Sequence, residues 1–108
     1  MGQEIKHGYK VVYEKPDGSL WSIAVVGKGG TRYGTFWALP KLDCGPLCVF
    51  KTFEAATKSV IKGSIFECSY VQSNENIVWH DIFCEDLRRL PCGTALADRV
   101  KFGKQVYP

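Results

Sequence analysis

The chain has 108 residues, 45% of them hydrophobic, and its 14 basic and 11 acidic side chains give a formal net charge of +3. This length predicts a single domain over residues 1–108, and the composition excludes an intrinsically disordered chain, which needs low hydrophobicity and high net charge. A charge of +3 neither establishes nor excludes nucleic-acid binding, because a phosphate-binding surface depends on clustered cations rather than on the total.

The first part of the chain predicts three strands separated by turns. Their sequences alternate apolar with polar residues or are rich in branched and aromatic side chains, as strands are. Pro16 and Gly18 predict the first turn, since proline presets φ and glycine accepts a positive φ. Gly34 predicts a bulge or a close approach inside the third strand. The three strands are predicted at residues 8–15, 20–26 and 31–38.

The middle of the chain predicts a loop, a buried strand and one helix. Residues 40–46 are rich in loop-forming residues, and the apolar run 47–50 is typical of a strand buried on both faces. The helix is predicted from Thr52, a suitable N-cap, to Gly63, a suitable residue for the position after the last turn. Its apolar residues recur at helical spacing; they are Phe53, Ala56, Val60 and Ile61.

The last part of the chain predicts strands again, at residues 64–71, 77–84 and 98–107, with a helical turn at 85–89 and a loop at 93–97. The strand 98–107 is expected at a sheet edge, where it either pairs in a homodimer or is protected by Lys101 and Lys104. The predicted fold class is α+β, with a curved, mostly antiparallel sheet of about six or seven strands and one main helix packed on it.

The chain contains five cysteines, an odd number, and it shows neither a secretory segment nor an apolar window of 18 residues. This combination predicts reduced thiols, a cytoplasmic protein and no membrane span. The spacings C-x3-C and H-x3-C are compatible with tetrahedral zinc at Cys44, Cys48, His80 and Cys84. The alternative, that Cys48, Cys68 and Cys84 are small buried hydrophobic residues, is the preferred interpretation, so no metal or cofactor is expected.

Three other arrangements have chemical meaning. Cys44 with His80 is a candidate nucleophile and base, although Asp81 on a strand would face away from His80. The run 27–31, GKGGT, offers backbone N–H groups to a phosphate but lacks the complete phosphate-loop spacing. Cations interleave with aromatic residues, as in proteins that bind single-stranded nucleic acid, but acidic neighbours interrupt them. Nucleic acid is therefore a less favoured partner.

Two resemblances follow from the motif order. The segments GPLCVF at 45–50, IFEC at 65–68 and GTALADRVK at 93–101 resemble those of small uncharacterised α+β domains of phages, other viruses and microbes. This likeness covers residues 8–102 and implies no activity. The strand–helix–strand order also resembles ADP-ribosyltransferase-like folds, which implies NAD binding by an early His or Arg and a late catalytic Glu. His7 precedes the first predicted strand, and neither Glu67 nor Glu85 is assigned to the catalytic position.

These observations favour a non-enzymatic binding module, viral or phage in type, which recognises a protein or small-molecule partner as a monomer or homodimer. No complete catalytic set is present, while two predicted loops carry basic and aromatic residues. The expected contact residues are Lys28, Arg32, Tyr33, Trp37 and Lys41. The alternative is an NAD- or nucleotide-handling protein of ADP-ribosyltransferase-like shape.

Overall fold

The computed structural model describes residues 4–22, 31–40, 44–59, 63–80 and 83–107. Within these ranges the chain forms nine strands, one α-helix and a short 3-10 turn at Leu87–Arg89. Every strand pairing is antiparallel, so the expected combination of a mostly antiparallel sheet with one helix is confirmed for the described residues. The elements are β1 Ile5–Glu14, β2 Leu20–Ser22, β3 Arg32–Tyr33, β4 Cys44–Gly45, β5 Leu47–Phe50, α1 Phe53–Ser59, β6 Ser64–Gln72, β7 Ile77–His80, β8 Phe83–Asp86 and β9 Thr94–Tyr107.

The larger sheet closes on itself into a small barrel. Its strand order is β3-β2-β1-β5-β9-β6, and β1 pairs with β6 along the register from Ile5 opposite Val71 to Val12 opposite Ser64. Strand β9 pairs with β6 on one side and with β5 on the other, and Ala38 bridges to Val100 further along. The prediction that residues 98–107 form a sheet edge is wrong as far as Phe102, because there β9 is bonded to β6 on one side and to Ala38 and Gly34 on the other.

The inside of the barrel is filled by alternate residues of its strands, since successive side chains in a strand point to opposite faces. Val12, Val49 and Val100 are fully buried there. Aromatic rings complete the core: Phe102 stacks between Tyr33 and Phe66, with ring centroids 5.0 Å apart on each side. This burial of apolar side chains is the main stabilising contribution to the fold.

Helix α1 packs on the outside of the barrel. The Thr52 hydroxyl accepts a hydrogen bond from the Ala55 backbone N–H at 3.1 Å, which confirms Thr52 as the N-cap. Ala56 of the helix is buried against Val11 and Ile65, which face outward from β1 and β6. Helix α1 therefore covers one part of the outer wall, and the helix residues predicted at Val60 and Ile61 lie outside the described residues.

The first turn forms as its residues predict. Gly18 has a φ of +87°, and its N–H donates to the Lys15 carbonyl at 2.8 Å. The Asp17 carboxylate accepts hydrogen bonds from the N–H and the hydroxyl of Ser19. These bonds fix the connection between β1 and β2.

Three sequence predictions about local structure are corrected. The run 77–84 is not one strand but parts of β7 and β8, which pair with each other and with β4 in a separate three-stranded sheet. Residues 94–97 are not a loop, because they begin β9 and pair with β5. Cys44–Gly45, expected in a loop, form β4. The predicted strand residues 23–26 lie outside the described residues, and no described helix is long and apolar enough to cross a bilayer.

Candidate binding surface

The expected contact residues divide into three groups. Lys28 and Lys41 lie outside the described residues, whereas Arg32 is exposed and Trp37 is half-buried on the outside of the barrel. Tyr33 is only 3% exposed, because alternation along β3 directs it into the core when Arg32 faces outward. Tyr33 is therefore not a surface contact residue.

Three aromatic rings on the outer wall each lie beside at least one cation. The Lys15 Nζ is 4.0 Å from the centroid of Trp21, and the Arg32 Cζ is 5.9 Å from that of Phe36. Trp37 is approached by the Arg99 Cζ at 4.9 Å and by the Lys101 Nζ at 5.8 Å. A cation over an aromatic ring is attracted by the negative face of the ring. We call this set the aromatic–basic strip: Lys15, Trp21, Arg32, Phe36, Trp37, Arg99 and Lys101.

The register of the barrel explains how Trp37 meets two cations. Ala38 bridges to Val100, and both side chains point inward, with exposures of 4% and 0%. Arg99 and Lys101, the neighbours of Val100 in β9, therefore face outward, and Trp37, next to Ala38, contacts both of them there. Leu39, 61% exposed, also lies on this segment.

Phe36 owes its position to a glycine. A Cβ atom on Gly34 would lie 2.7 Å from the Phe36 ring, so a side chain at that position would displace the ring. Phe36 remains 46% exposed in this arrangement. The close approach predicted at Gly34 therefore places an aromatic ring on the surface rather than in the core.

The other end of the strip is built on β2 and the first turn. Trp21 pairs in register with Arg32 of β3, and its indole N–H donates to the Ser19 hydroxyl at 2.8 Å. Asp17 is the nearby acid: the hydrogen bonds from Ser19, and then Lys15 and Arg32, lower the pKa of its carboxyl. The turn therefore holds this carboxylate in place, and the carboxylate attracts the two cations at this end of the strip.

Arg99 carries an unmet hydrogen-bond donor. Its Nε is buried and, within the described part of the chain, finds no hydrogen-bond partner. An unsatisfied buried donor costs on the order of 1–3 kcal/mol, so packing alone does not account for an arginine at this position.

A second polar feature is a groove of about 570 Å³ beside helix α1. The outward-facing pairs Tyr9 with Glu67 and His7 with Ser69 bring these four residues together on β1 and β6, and Lys51 lines the same groove. We call it the outer groove. His7, expected before the first strand, in fact lies within β1, two residues along the register from the pair of Tyr9 and Glu67.

Of the four residues of the zinc alternative, Cys44 and His80 have side chains that lie outside the described part of the structure. Cys44 pairs with His80, but Cys84 pairs with Trp79 and Cys48 lies in the barrel wall. The described residues contain no group of three or more metal-ligating side chains. Cys68 is buried as expected, and burial raises the pKa of its thiol to about 12, whereas Cys84 is exposed, contrary to the prediction.

Sequence reasoning missed Lys10, which enters the barrel wall from β1. Its Nζ donates to the Cys48 carbonyl at 2.6 Å and lies 5.3 Å from the Tyr33 ring centroid. The available signal was the alternation along β1. Lys10 and Val12 lie two residues apart and therefore point to the same face of the strand. Phe36, Arg99 and Lys101 were also missed, since their proximity depends on how the barrel closes.

The strip and the outer groove are both products of barrel closure, which brings β9 beside residues 34–38 and β1 beside β6. The comparisons with known proteins supply no independent assignment for either surface. No protein-family model, curated protein or solved structure matches the chain.

Proposed function

We propose that the protein is a non-enzymatic binding module that contacts an anionic partner through the aromatic–basic strip. The observation that carries this proposal is the set of contacts between three aromatic rings on the outer wall of the barrel and four cations. Surfaces enriched in aromatic residues and arginine are typical of binding interfaces.

The charge of the strip defines the partner. Lys15, Arg32, Arg99 and Lys101 give the strip four cations, and the one acid beside Lys15 and Arg32 that we describe, Asp17, offsets part of the charge at that end. Clustered cations raise the local concentration of an anionic partner and accelerate its association. The rings add apolar area that cations alone do not supply.

The test compares two double variants with equal net charge. Arg32→Ala with Lys101→Ala removes two exposed strip cations, whereas Arg89→Ala with Lys104→Ala removes two exposed cations elsewhere; each lowers the formal charge from +3 to +1. Fluorescence anisotropy measures binding of a labelled oligoglutamate peptide and a labelled oligonucleotide. We expect the strip variant to weaken binding of at least one probe by about tenfold or more, and the control by about threefold or less.

Equal losses in the two double variants would contradict the proposal, because binding would then follow net charge and not the strip. The same conclusion would follow if neither probe bound the unsubstituted protein at low ionic strength. Circular dichroism of each variant checks that the barrel remains folded.

A second candidate function is the handling of a nucleotide in the outer groove. Its support is the neighbouring placement of His7 and Glu67, a base and an acid on adjacent strands that face one concave surface. A thermal-shift assay with NAD and ADP-ribose tests it, because a ligand that binds only the folded state raises the melting temperature. Stabilisation that Glu67→Gln abolishes would favour this function, and unchanged melting temperatures would count against it.

A further inference from the structure

We propose that the anionic partner is a single-stranded nucleic acid, whose bases stack on the strip while its phosphates meet the cations. This inference rests on the proposed function and names the chemical class of its partner. It starts from the pairing of each ring with a cation, which an acidic peptide does not require.

The rings provide the stacking surfaces. Phe36 is nearly half exposed, and Trp21 and Trp37 are half-buried on the outer wall with one ring face accompanied by a cation. Unpaired bases stack on aromatic side chains and on guanidinium planes, and every base has a face suited to such stacking. The strip offers both kinds of surface.

The cations follow the same path as the rings. Arg32 contacts Phe36, and Trp37, the next residue in the chain, contacts Arg99 and Lys101. The segment 32–39 bends at residues 34–36, so it spans less than the roughly 23 Å of eight fully extended residues. That length suits a few nucleotides, in keeping with sites of about four or more nucleotides on small barrels.

A duplex does not fit this arrangement as well as a single strand. In a duplex the base faces are stacked on one another and are not available to protein rings, so only the phosphates would contact the strip. We therefore expect the strip to bind single strands more tightly than a duplex of the same length.

The experiment measures anisotropy of a labelled oligothymidylate of about 15 nucleotides, a duplex of equal length and an oligoglutamate peptide over a range of salt concentrations. Trp37→Ala is expected to weaken oligothymidylate binding by about fivefold or more without changing the salt dependence, because it removes a stacking surface but no charge. Trp37→Phe, which keeps a ring, is expected to retain most of the affinity.

Arg32→Ala with Lys101→Ala is expected to lower the salt slope by about one for each phosphate contact removed. The matched control is Trp79→Ala, which removes an exposed tryptophan from the separate β4-β7-β8 sheet and is expected to leave affinity unchanged. Trp37→Ala is expected to change affinity but not the salt slope, and the double variant is expected to change the slope. The two variants together therefore separate stacking from charge.

The outcomes distinguish this inference from the proposed function. Strip-dependent binding of the peptide without binding of the oligothymidylate would overturn the nucleic-acid inference and leave the proposed function standing. Binding of all three probes that is unaffected by Trp37→Ala and by the double variant would overturn both. A duplex bound as tightly as the single strand would also overturn the inference.

Discussion

The two faces of strand β9 serve different purposes within three residues of sequence. Val100 and Phe102 point into the barrel and are buried, whereas Arg99 and Lys101 point outward to the ring of Trp37. The inward side chains pack against apolar neighbours from β1, β5 and β6, while the outward ones carry charge and, at Arg99, an unmet donor. The inner face therefore accounts for stability, whereas binding by the outer face is the function that we propose.

This difference shows that one alternating pattern can encode both fold and surface. A strand with period two needs only its inward residues to specify the barrel, which leaves the outward positions open to selection for contact. Where helix α1 covers the outer wall, at Val11 and Ile65, outward positions are apolar. Beside Trp37, the outward positions of β9 carry cations instead.

The largest expected effect is a loss of stability when an inward-facing side chain of β9 is removed. Phe102→Ala removes the ring stacked between Tyr33 and Phe66 and should lower the free energy of unfolding by about 3–5 kcal/mol. Lys101→Ala, the outward neighbour, should change it by about 0.5 kcal/mol or less. Urea denaturation measures both, and similar losses for the two variants would show that the faces are not divided as described.

A smaller effect concerns the contact between helix α1 and the start of β9. Gly93 has a φ of +89°, and a Cβ there would lie 2.6 Å from the Ala55 Cβ. Gly93→Ala should therefore cost more than the roughly 1–2 kcal/mol of an unfavourable left-handed conformation. The matched control is Gly18→Ala, with a φ of +87° and no atom within 4 Å of the new Cβ. Equal losses of stability in urea denaturation would indicate that the helix does not press on Gly93.

The inner face also predicts a pH dependence. Burial raises the pKa of the Cys68 thiol to about 12 from an ordinary value of 9.0, although Lys10 acts in the opposite direction. Because the folded pKa is the higher one, the stability linked to Cys68 is present below pH 9 and is lost as pH rises toward 12. Burial also raises the pKa values of Cys48, Tyr33 and Tyr70.

Urea denaturation at several pH values between 8 and 11 checks this dependence. Cys68→Ala should lose less stability over that interval than the unsubstituted chain, since its share of the titration is absent. Identical pH profiles for the two proteins would contradict the buried position of this thiol.

The smallest expected effect concerns the outer face. Arg99→Met keeps an unbranched side chain over Trp37 but removes the charge and the buried Nε that lacks a partner. The free energy of unfolding should stay within about 1 kcal/mol, because the gain from removing an unsatisfied donor offsets the loss of the cation–π contact. A loss above about 2 kcal/mol in urea denaturation would mean that Arg99 stabilises the fold after all.

Local features of the fold were predictable because their causes are local. The turn at Pro16–Gly18 and the cap at Thr52 depend on residues within a few positions, and both are present. Residues 94–97 were mistaken for a loop because their small side chains form a strand only when β5 pairs beside them. The break within 77–84 was missed because an apolar run does not show where the chain reverses.

The surface was predictable only in part. Arg32 and Trp37 were identified from sequence, but the burial of Tyr33 depends on which face of β3 turns inward when the barrel closes. Arg99 and Lys101 lie more than 60 positions from Trp37, and only the bridge between Ala38 and Val100 brings them together. No local pattern contains that pairing.

The most direct test uses the three tryptophans as reporters. Trp21 and Trp37 belong to the strip, whereas Trp79 lies on the separate three-stranded sheet. In a ¹⁵N-labelled sample titrated with the oligothymidylate, the indole N–H resonances of Trp21 and Trp37 should shift while that of Trp79 stays in place. A shift of Trp79 alone, or saturation of binding with the Trp21 and Trp37 signals unchanged, would contradict the assignment of binding to the outer wall.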